Sequence, residues 1–234
     1  MFPVAILAGG LATRLRPVTD TIPKALVEVA GVPFIMRQLD YLQGQGCRDV
    51  VLCVSHLGDQ IEAVIGDGSR LGMRVRYAFD GPVRLGTGGA LQQALPLLGE
   101  VFFVLYGDSF LPIDFAAVQR AFVAARPPAL MTVLKNHDRW DKSNVDYRNG
   151  VVIEYNKHRP RPEMAYIDYG LSILSAITFE AYARGTPFDL SDVFHGLSMT
   201  GRLAGFEVHQ RFYEIGSHEG LAATEDYFRS QGRP

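Results

Sequence analysis

The stretch Ala5–Thr19, AILAGGLATRLRPVT, decides the fold. The apolar run Val4-Ala5-Ile6-Leu7 stops at Gly9 and Gly10, and Thr13, Arg14 and Arg16 follow within a few residues. A strand that ends in a glycine turn beside a guanidinium fork offers freed N–H groups and a planar cation to the same anion, and phosphate oxygens suit both. Lys24, directly after Pro23, adds a second cation within folding reach of that turn.

Outward from this turn the first half alternates short apolar runs with helical periodicity, which predicts a layered α/β domain. DVVLCV (49–54) and VFFVLY (101–106) read as buried strands, and MRVRYAF (73–79) alternates as an edge strand should. Ile35, Leu39 and Leu42 are spaced for a helix opened by Pro33; Ile61, Val64 and Ile65 mark a shorter one. The glycine-rich turn LGTGGA (85–90) opens a helix carrying Leu91, Ala94 and Leu95. Beyond residue 128 strands dominate: ALMTVL, NVDY, VVIEY and YGLSIL, with helices expected at Ala176–Ala183, Leu190–Met199 and Ser217–Arg229. The second half reads as an extension packed on the same sheet, so one domain is expected over residues 1–234.

The charge is nearly balanced, 23 Lys and Arg against 25 Asp and Glu, so no global field draws the chain to nucleic acid or to an anionic membrane. Two cysteines, Cys47 and Cys53, are too few for a disulfide framework or a four-ligand zinc site. No apolar run nears the roughly 20 residues of a spanning helix, and the first strand begins where a leader's basic and apolar regions would stand. A cytoplasmic protein is the expectation.

In open α/β sheets ligands lie beyond the carboxyl ends of the strands. Gly9–Arg16, Gly86–Gly89 and Gly107-Asp108 all fall at such ends, which predicts one site at the mouth of the sheet. A P-loop is excluded, because no glycine pair is followed by Lys-Ser/Thr at the required spacing. The dinucleotide fingerprint fails at GTGGAL, where Leu91 stands in place of the last glycine. A carboxylate such as Asp108, closing a purely apolar strand, needs a partner, and a hard divalent cation bridging it to phosphate oxygens is one. Capping of the following segment is the alternative.

Together these residues resemble the nucleotidyltransferases that make nucleotide sugars from a sugar 1-phosphate and a nucleoside triphosphate. The family's opening signature L-A-G-G-x-G-T-R-L-x-P, then P-K, stands here as Leu7–Pro17 and Pro23-Lys24, with Ala12 replacing one glycine. LGTGGAL, FFVLYGDSF and FYEIGSHEGL extend the resemblance over nearly the whole chain. It implies a Rossmann-like three-layer mixed sheet of the glycosyltransferase-A-like kind, with residues 1–127 as nucleotide-binding half and 128–234 as sugar-binding half. It also implies that Leu7, Ala8, Gly9, Gly10, Thr13 and Arg14 receive the nucleotide, with Gly88 and Gly89 around the base and His56 close by. Arg14, Lys24 and Lys157 are the implied catalytic cations, and Asp108 and Glu214 the magnesium ligands. Asn144, Glu154, Tyr166, Asp168 and Gly170 are the implied sugar-pocket residues. The expected partners are a nucleoside triphosphate and a sugar 1-phosphate, and the expected state is a monomer or small homo-oligomer. Among sub-families, KSNVDY, IDYGLSIL and FYEIGSHEGL look most like heptose 1-phosphate guanylyltransferases; HLGDQIEAVIGDGSRLGMRVRY looks also like N-acetylmuramate 1-phosphate uridylyltransferases. A glycosyltransferase would usually show an Asp-x-Asp motif, and none occurs. A nucleotide-sensing homologue would have lost a catalytic charge, whereas Arg14, Lys24, Asp108 and Lys157 are all present.

Overall fold

The computed structural model describes residues 1–10, 15 and 18–232. The nucleotide half runs β1 (Val4–Leu7), β2 (Glu28–Val29), β3 (Val32–Pro33), α1 (Phe34–Gly44), β4 (Asp49–Val54), α2 (Gly58–Ile65), β5 (Arg74–Phe79), α3 (Gly86–Leu98) and β6 (Val101–Tyr106). It ends with β7 (Ser109–Phe110) and α4 (Phe115–Ala125). The remainder is β8 (Ala129–Lys135), β9 (Val145–Arg148), β10 (Val151–Tyr155), β11 (Tyr166–Ser175), α5 (Leu190–Met199), β12 (Leu203–Val208), β13 (Tyr213–Glu214) and α6 (His218–Ser230).

Strands from both halves share one nine-stranded sheet, in the order β5-β4-β1-β6-β11-β8-β12-β10-β9. The four strands β5, β4, β1 and β6 are mutually parallel, which is why their sequences are near-continuous apolar runs: helices cover both faces. Alternation decides which layer each residue joins. Val4 and Ile6 of β1 face α1, α2 and α4 through Ile35, Leu39, Ile61 and Val118, whereas Ala5 faces α3 and α5 through Leu91, Ala94 and Val193. The result is the expected three-layer mixed sheet. β11 runs antiparallel to both β6 and β8, and its first residue, Tyr166, also pairs with Val145, so β9 closes back onto β11.

Helix starts follow their caps. Asp114 accepts from Ala117 N at 3.1 Å at the head of α4, and Ser217 accepts from Gly220 N at 3.0 Å at the head of α6. One expected helix is not formed: Ala176–Ala183 makes only a 3-10 turn, Ala176–Phe179. The buried Gln92 of α3 donates its amide to Phe179 O at 3.2 Å and Tyr182 O at 2.8 Å, engaging two carbonyls of that segment, and the Tyr182 ring stacks on Phe188 with centroids 4.2 Å apart. The chain is thereby folded back across α3.

Chain order places the site. From β1 the chain passes outward to β4 and β5, then returns to β6 on the other side of β1. The carboxyl ends of β1 and β6, Leu7 and Tyr106, therefore flank the switch point at which an open α/β sheet receives its ligand.

Candidate active site

The switch point is drawn together by short contacts. Ala8 N donates to Cys53 O and Gly107 N to Leu7 O, each at 2.9 Å, fixing the ends of β1, β4 and β6 together. A Cβ on Gly107 would lie 3.0 Å from both Ala8 Cα and Leu7 O, so this corner admits no side chain. Ser55 Oγ donates to Gly9 O at 2.6 Å, which sets the loop after β4, with the exposed His56, directly beside the glycine turn. A Cβ on Gly10 would meet nothing within 4 Å, so that backbone faces open space. Thr13 and Arg14 lie outside the described residues, as do Leu11, Ala12, Arg16 and Pro17.

Beyond Gly107 the chain presents Asp108. Lys24 Nζ lies 2.8 Å from Asp108 Oδ2, and Ser109 Oγ lies 3.2 Å from Asp108 Oδ1. β13 pairs antiparallel with β7, Glu214 opposite Ser109, and Ile215 N donates to Asp108 O at 2.9 Å. Glu214 thus arrives beside Asp108 from the far end of the chain. Its carboxylate accepts from Gly216 N and from Ser217 Oγ, the latter at 2.8 Å. A Cβ on Gly216 would crowd Glu214 Oε2 and sit 3.2 Å from Lys24 Nζ, so the absent side chain leaves room for the ammonium next to the second carboxylate.

A residue that the sequence reading passed over holds this corner. Gln38 of α1, 3% exposed, donates Nε2 to Tyr106 O at 2.9 Å and to Ser109 O at 2.7 Å, bracketing Gly107-Asp108 from beneath. The signal was available: Gln38 interrupts the buried stripe of Phe34, Ile35, Leu39 and Leu42. A lone amide on such a stripe has a specific backbone partner more often than not.

Gly88 and Gly89 sit in the first turn of α3, but both N–H groups donate to Phe188 O, at 3.0 and 3.3 Å. A Cβ on Gly86 would lie 2.5 Å from that same carbonyl, and one on Gly88 would strike the Phe188 ring. These glycines are required by the strap Thr186–Asp189 crossing over them, and their N–H groups are already partnered. Thr87 Oγ1 secures the strap, accepting from Leu190 N at 2.8 Å.

The sugar-side candidates lie on β10 and β11 and, for Asn144, directly before β9. A bulge between Asp168 and Ser172 carries Gly170 at φ +103, a conformation glycine alone adopts without strain, and Gly170 N donates to Asp168 Oδ1 at 3.0 Å. Asp168 N donates to Asn144 Oδ1 at 3.0 Å. Burial raises Asp168 to about 6, against the pull of the Gly170 N–H and the Lys157 ammonium, so Lys157 stands within electrostatic reach. The Tyr106 phenol is pushed above its ordinary value by burial first, then by Asp168, Asp108 and Asp189, which puts the Asp108 corner and Asp168 around one tyrosine. Two candidates are engaged elsewhere: Glu154 takes Arg161 Nε at 2.8 Å and Asn156 Nδ2 at 3.2 Å, and Tyr166 OH donates to Glu207 at 3.3 Å.

Among the described residues no three His, Cys, Asp or Glu side chains cluster as a metal site. Asp108 and Glu214, brought to one corner by the pairing of β7 with β13, nevertheless offer the oxygen donors a hard divalent cation takes when phosphates complete its shell.

Residues 4–152 match the family model described as nucleotidyl transferase. The chain belongs to this family. The N-acetylmuramate alpha-1-phosphate uridylyltransferase of Neisseria meningitidis is 45% identical over 113 residues, 48% of this chain and 49% of that one. The D-glycero-alpha-D-manno-heptose 1-phosphate guanylyltransferase of Campylobacter jejuni is 28% identical over 187 residues, 80% of this chain and 82% of that one. The crystal structure of HddC from Yersinia pseudotuberculosis complexed with GMP-PN superposes on this nucleotidyl transferase with a TM-score of 0.83, at 27% identity, covering 97% of this chain and 100% of that one. The chain spans about half the length of curated relatives such as the Neisseria protein. No helix among the described residues is long and apolar enough to cross a membrane.

Proposed function

We propose that this nucleotidyl transferase moves a nucleoside monophosphate from a nucleoside triphosphate to a sugar 1-phosphate, releasing pyrophosphate. The observation that carries the reading is the convergence of Lys24, Asp108 and Glu214 at the switch point of the parallel sheet, beside the Gly9-Gly10 turn. The reaction requires two anions to approach, so catalysis rests on positioning and charge neutralisation. The Gly9-Gly10 backbone and Arg14 hold the triphosphate. Lys24 and Lys157 offset the charge of the incoming sugar phosphate, and Asn144, Asp168 and Gly170 orient its hydroxyls. Asp108 and Glu214 would hold magnesium, which when bound neutralises charge on the phosphate oxygens. A sugar phosphate is already ionised near pH 7, so no general base is called for.

Within this reaction we favour guanylyl transfer to a heptose 1-phosphate. The support is the similarity to the Campylobacter protein over most of both chains and to HddC over nearly all of both. Uridylyl transfer to N-acetylmuramate 1-phosphate is the second reading, supported by the 45% identity to the Neisseria protein over half of this chain. Pyrophosphate release with magnesium, screened over GTP, UTP, CTP, ATP and dTTP against heptose, mannose, glucose and N-acetylmuramate 1-phosphates, tests both. A maximum at GTP with heptose supports the first reading, a maximum at UTP with N-acetylmuramate replaces it with the second, and silence across the panel removes both.

A further inference from the structure

We propose that Lys24 is the resident counter-ion of the Asp108 carboxylate, and that it makes the site refuse a free divalent cation and admit one already carried on a nucleoside triphosphate. The inference rests on the nucleotidyl-transfer reading and adds an order of binding to it.

Of the three groups, only the ammonium is free to leave. Glu214 is held at both oxygens, by Gly216 N and by Ser217 Oγ, and the same Ser217 oxygen caps α6 through Gly220 N. The Asp108 backbone is fixed by the Gln38 bracket around its corner and by the pairing of β13 with β7, and Ser109 Oγ lies 3.2 Å from its Oδ1 on a side chain with a single methylene. Lys24 has a backbone anchor, the 3-10 turn Lys24–Leu26 closed by Val27 N on Lys24 O at 3.0 Å, but its charge rides on a flexible four-carbon stem. Its side chain is 16% exposed, so the ammonium sits inside the mouth and not in bulk water.

That position is the one a dication would need. Lys24 Nζ already lies on Asp108 Oδ2 and against the Gly216 backbone that carries Glu214. A bare divalent cation entering would meet a like charge at contact distance in a partly desolvated cleft, where such repulsion is only weakly screened. A metal–triphosphate complex is different, because it carries net negative charge. Its phosphate oxygens give the ammonium a better partner than Asp108, so Lys24 turns from Asp108 to the phosphates as the complex docks, where it also faces the incoming sugar phosphate. One residue thus neutralises Asp108 before substrate arrives and joins the substrate afterwards.

Manganese, whose paramagnetism reports free ion directly, gives a test that needs no turnover. Mn2+ is titrated into the protein without nucleotide, and bound metal is read by electron paramagnetic resonance for wild type, Lys24→Met and the double variant Lys24→Met with Asp108→Asn. The expected result is weak binding by wild type, binding about 10-fold or more tighter in Lys24→Met, and loss of that gain in the double variant. Equal affinity of wild type and Lys24→Met overturns the proposal, as does a gain that survives Asp108→Asn. If Lys24→Met fails to fold, Lys24→Gln, which retains a polar tip without the charge, is read in its place. A manganese gain in a protein that releases no pyrophosphate with any substrate pair would remove the transferase reading and leave the counter-ion role standing; turnover without the gain would do the reverse.

Discussion

Gln38 Nε2 lies 2.7 Å from Ser109 O, so a helix residue on one side of Gly107-Asp108 holds the carbonyl on the other. The same amide nitrogen reaches Tyr106 O at 2.9 Å, so one side chain braces both sides of the corner. Replacing Gln38 with Leu retains the volume and leaves two partly buried carbonyls without this donor. The expected cost is about 1–3 kcal/mol in urea unfolding, together with a fall in kcat/KM larger than any change in the fold accounts for, because Asp108 loses its fixed position. Unchanged kcat/KM would show that the corner is held by the strands alone.

Two glycines in the mouth should respond in opposite ways. At Gly107 an added methyl would press on Ala8 Cα and Leu7 O at 3.0 Å, both backbone, and must push β1 and β6 apart. At Gly10 the methyl meets nothing. Gly107→Ala should cost about 1–3 kcal/mol of stability, whereas Gly10→Ala should leave the unfolding midpoint unmoved and affect only nucleotide affinity. Equal midpoints for the two variants would contradict this account of the switch point.

Asp168 makes stability fall with pH over a defined window. Burial lifts its carboxyl from the ordinary 3.8 to about 6. Between those values the folded chain keeps a proton that the unfolded chain has released, so folding becomes less favourable as pH rises through the window. Asn at this position retains the oxygen that accepts from Gly170 N and carries no charge. Asp168→Asn should therefore be more stable than wild type at pH 7.5, with the difference closing at pH 4; urea unfolding at the two pH values checks it, and a larger gain at pH 4 would reverse the assigned sign.

Asp108→Asn separates chemistry from folding. Its bond to Lys24 is between a partly exposed carboxylate and a mostly covered ammonium, and such pairs contribute about 1 kcal/mol or less. The variant should keep its unfolding midpoint within a few degrees and lose synthesis by at least about 10²-fold, measured as product formed under saturating substrates.

Much of this architecture was legible because local pattern and tertiary role agree. The strands β1, β4 and β6 are buried on both faces and must be apolar throughout; α1 and α3 carry their stripes at helical spacing. What escaped depends on partners distant in the chain. β12 is a strand because β8 pairs with it, and its Gly205 is set by the Tyr147 ring 2.5 Å from where a Cβ would stand. Ala176–Ala183 has helical composition, yet Gln92 takes its carbonyls. Gly88 and Gly89 read as a glycine turn around the base, and no local pattern shows that Phe188, 99 positions or more away, takes their N–H groups. At the site, Asp108 was legible as a carboxylate closing an apolar strand and Lys24 as a cation near the glycine turn, while the geometry of Glu214, folded onto Gly216 and Ser217, depends on a turn no periodicity encodes.

The most direct test of the central claim follows one oxygen. Sugar 1-phosphate labelled with 18O in its phosphate oxygens is incubated with GTP, magnesium and the protein, and products are resolved by 31P NMR. The account predicts a nucleotide diphosphate sugar whose bridging oxygen and β-phosphate carry the label, with unlabelled pyrophosphate released in equal amount. Label in the pyrophosphate, or a labelled sugar phosphate left unchanged while the nucleotide is bound, would contradict it.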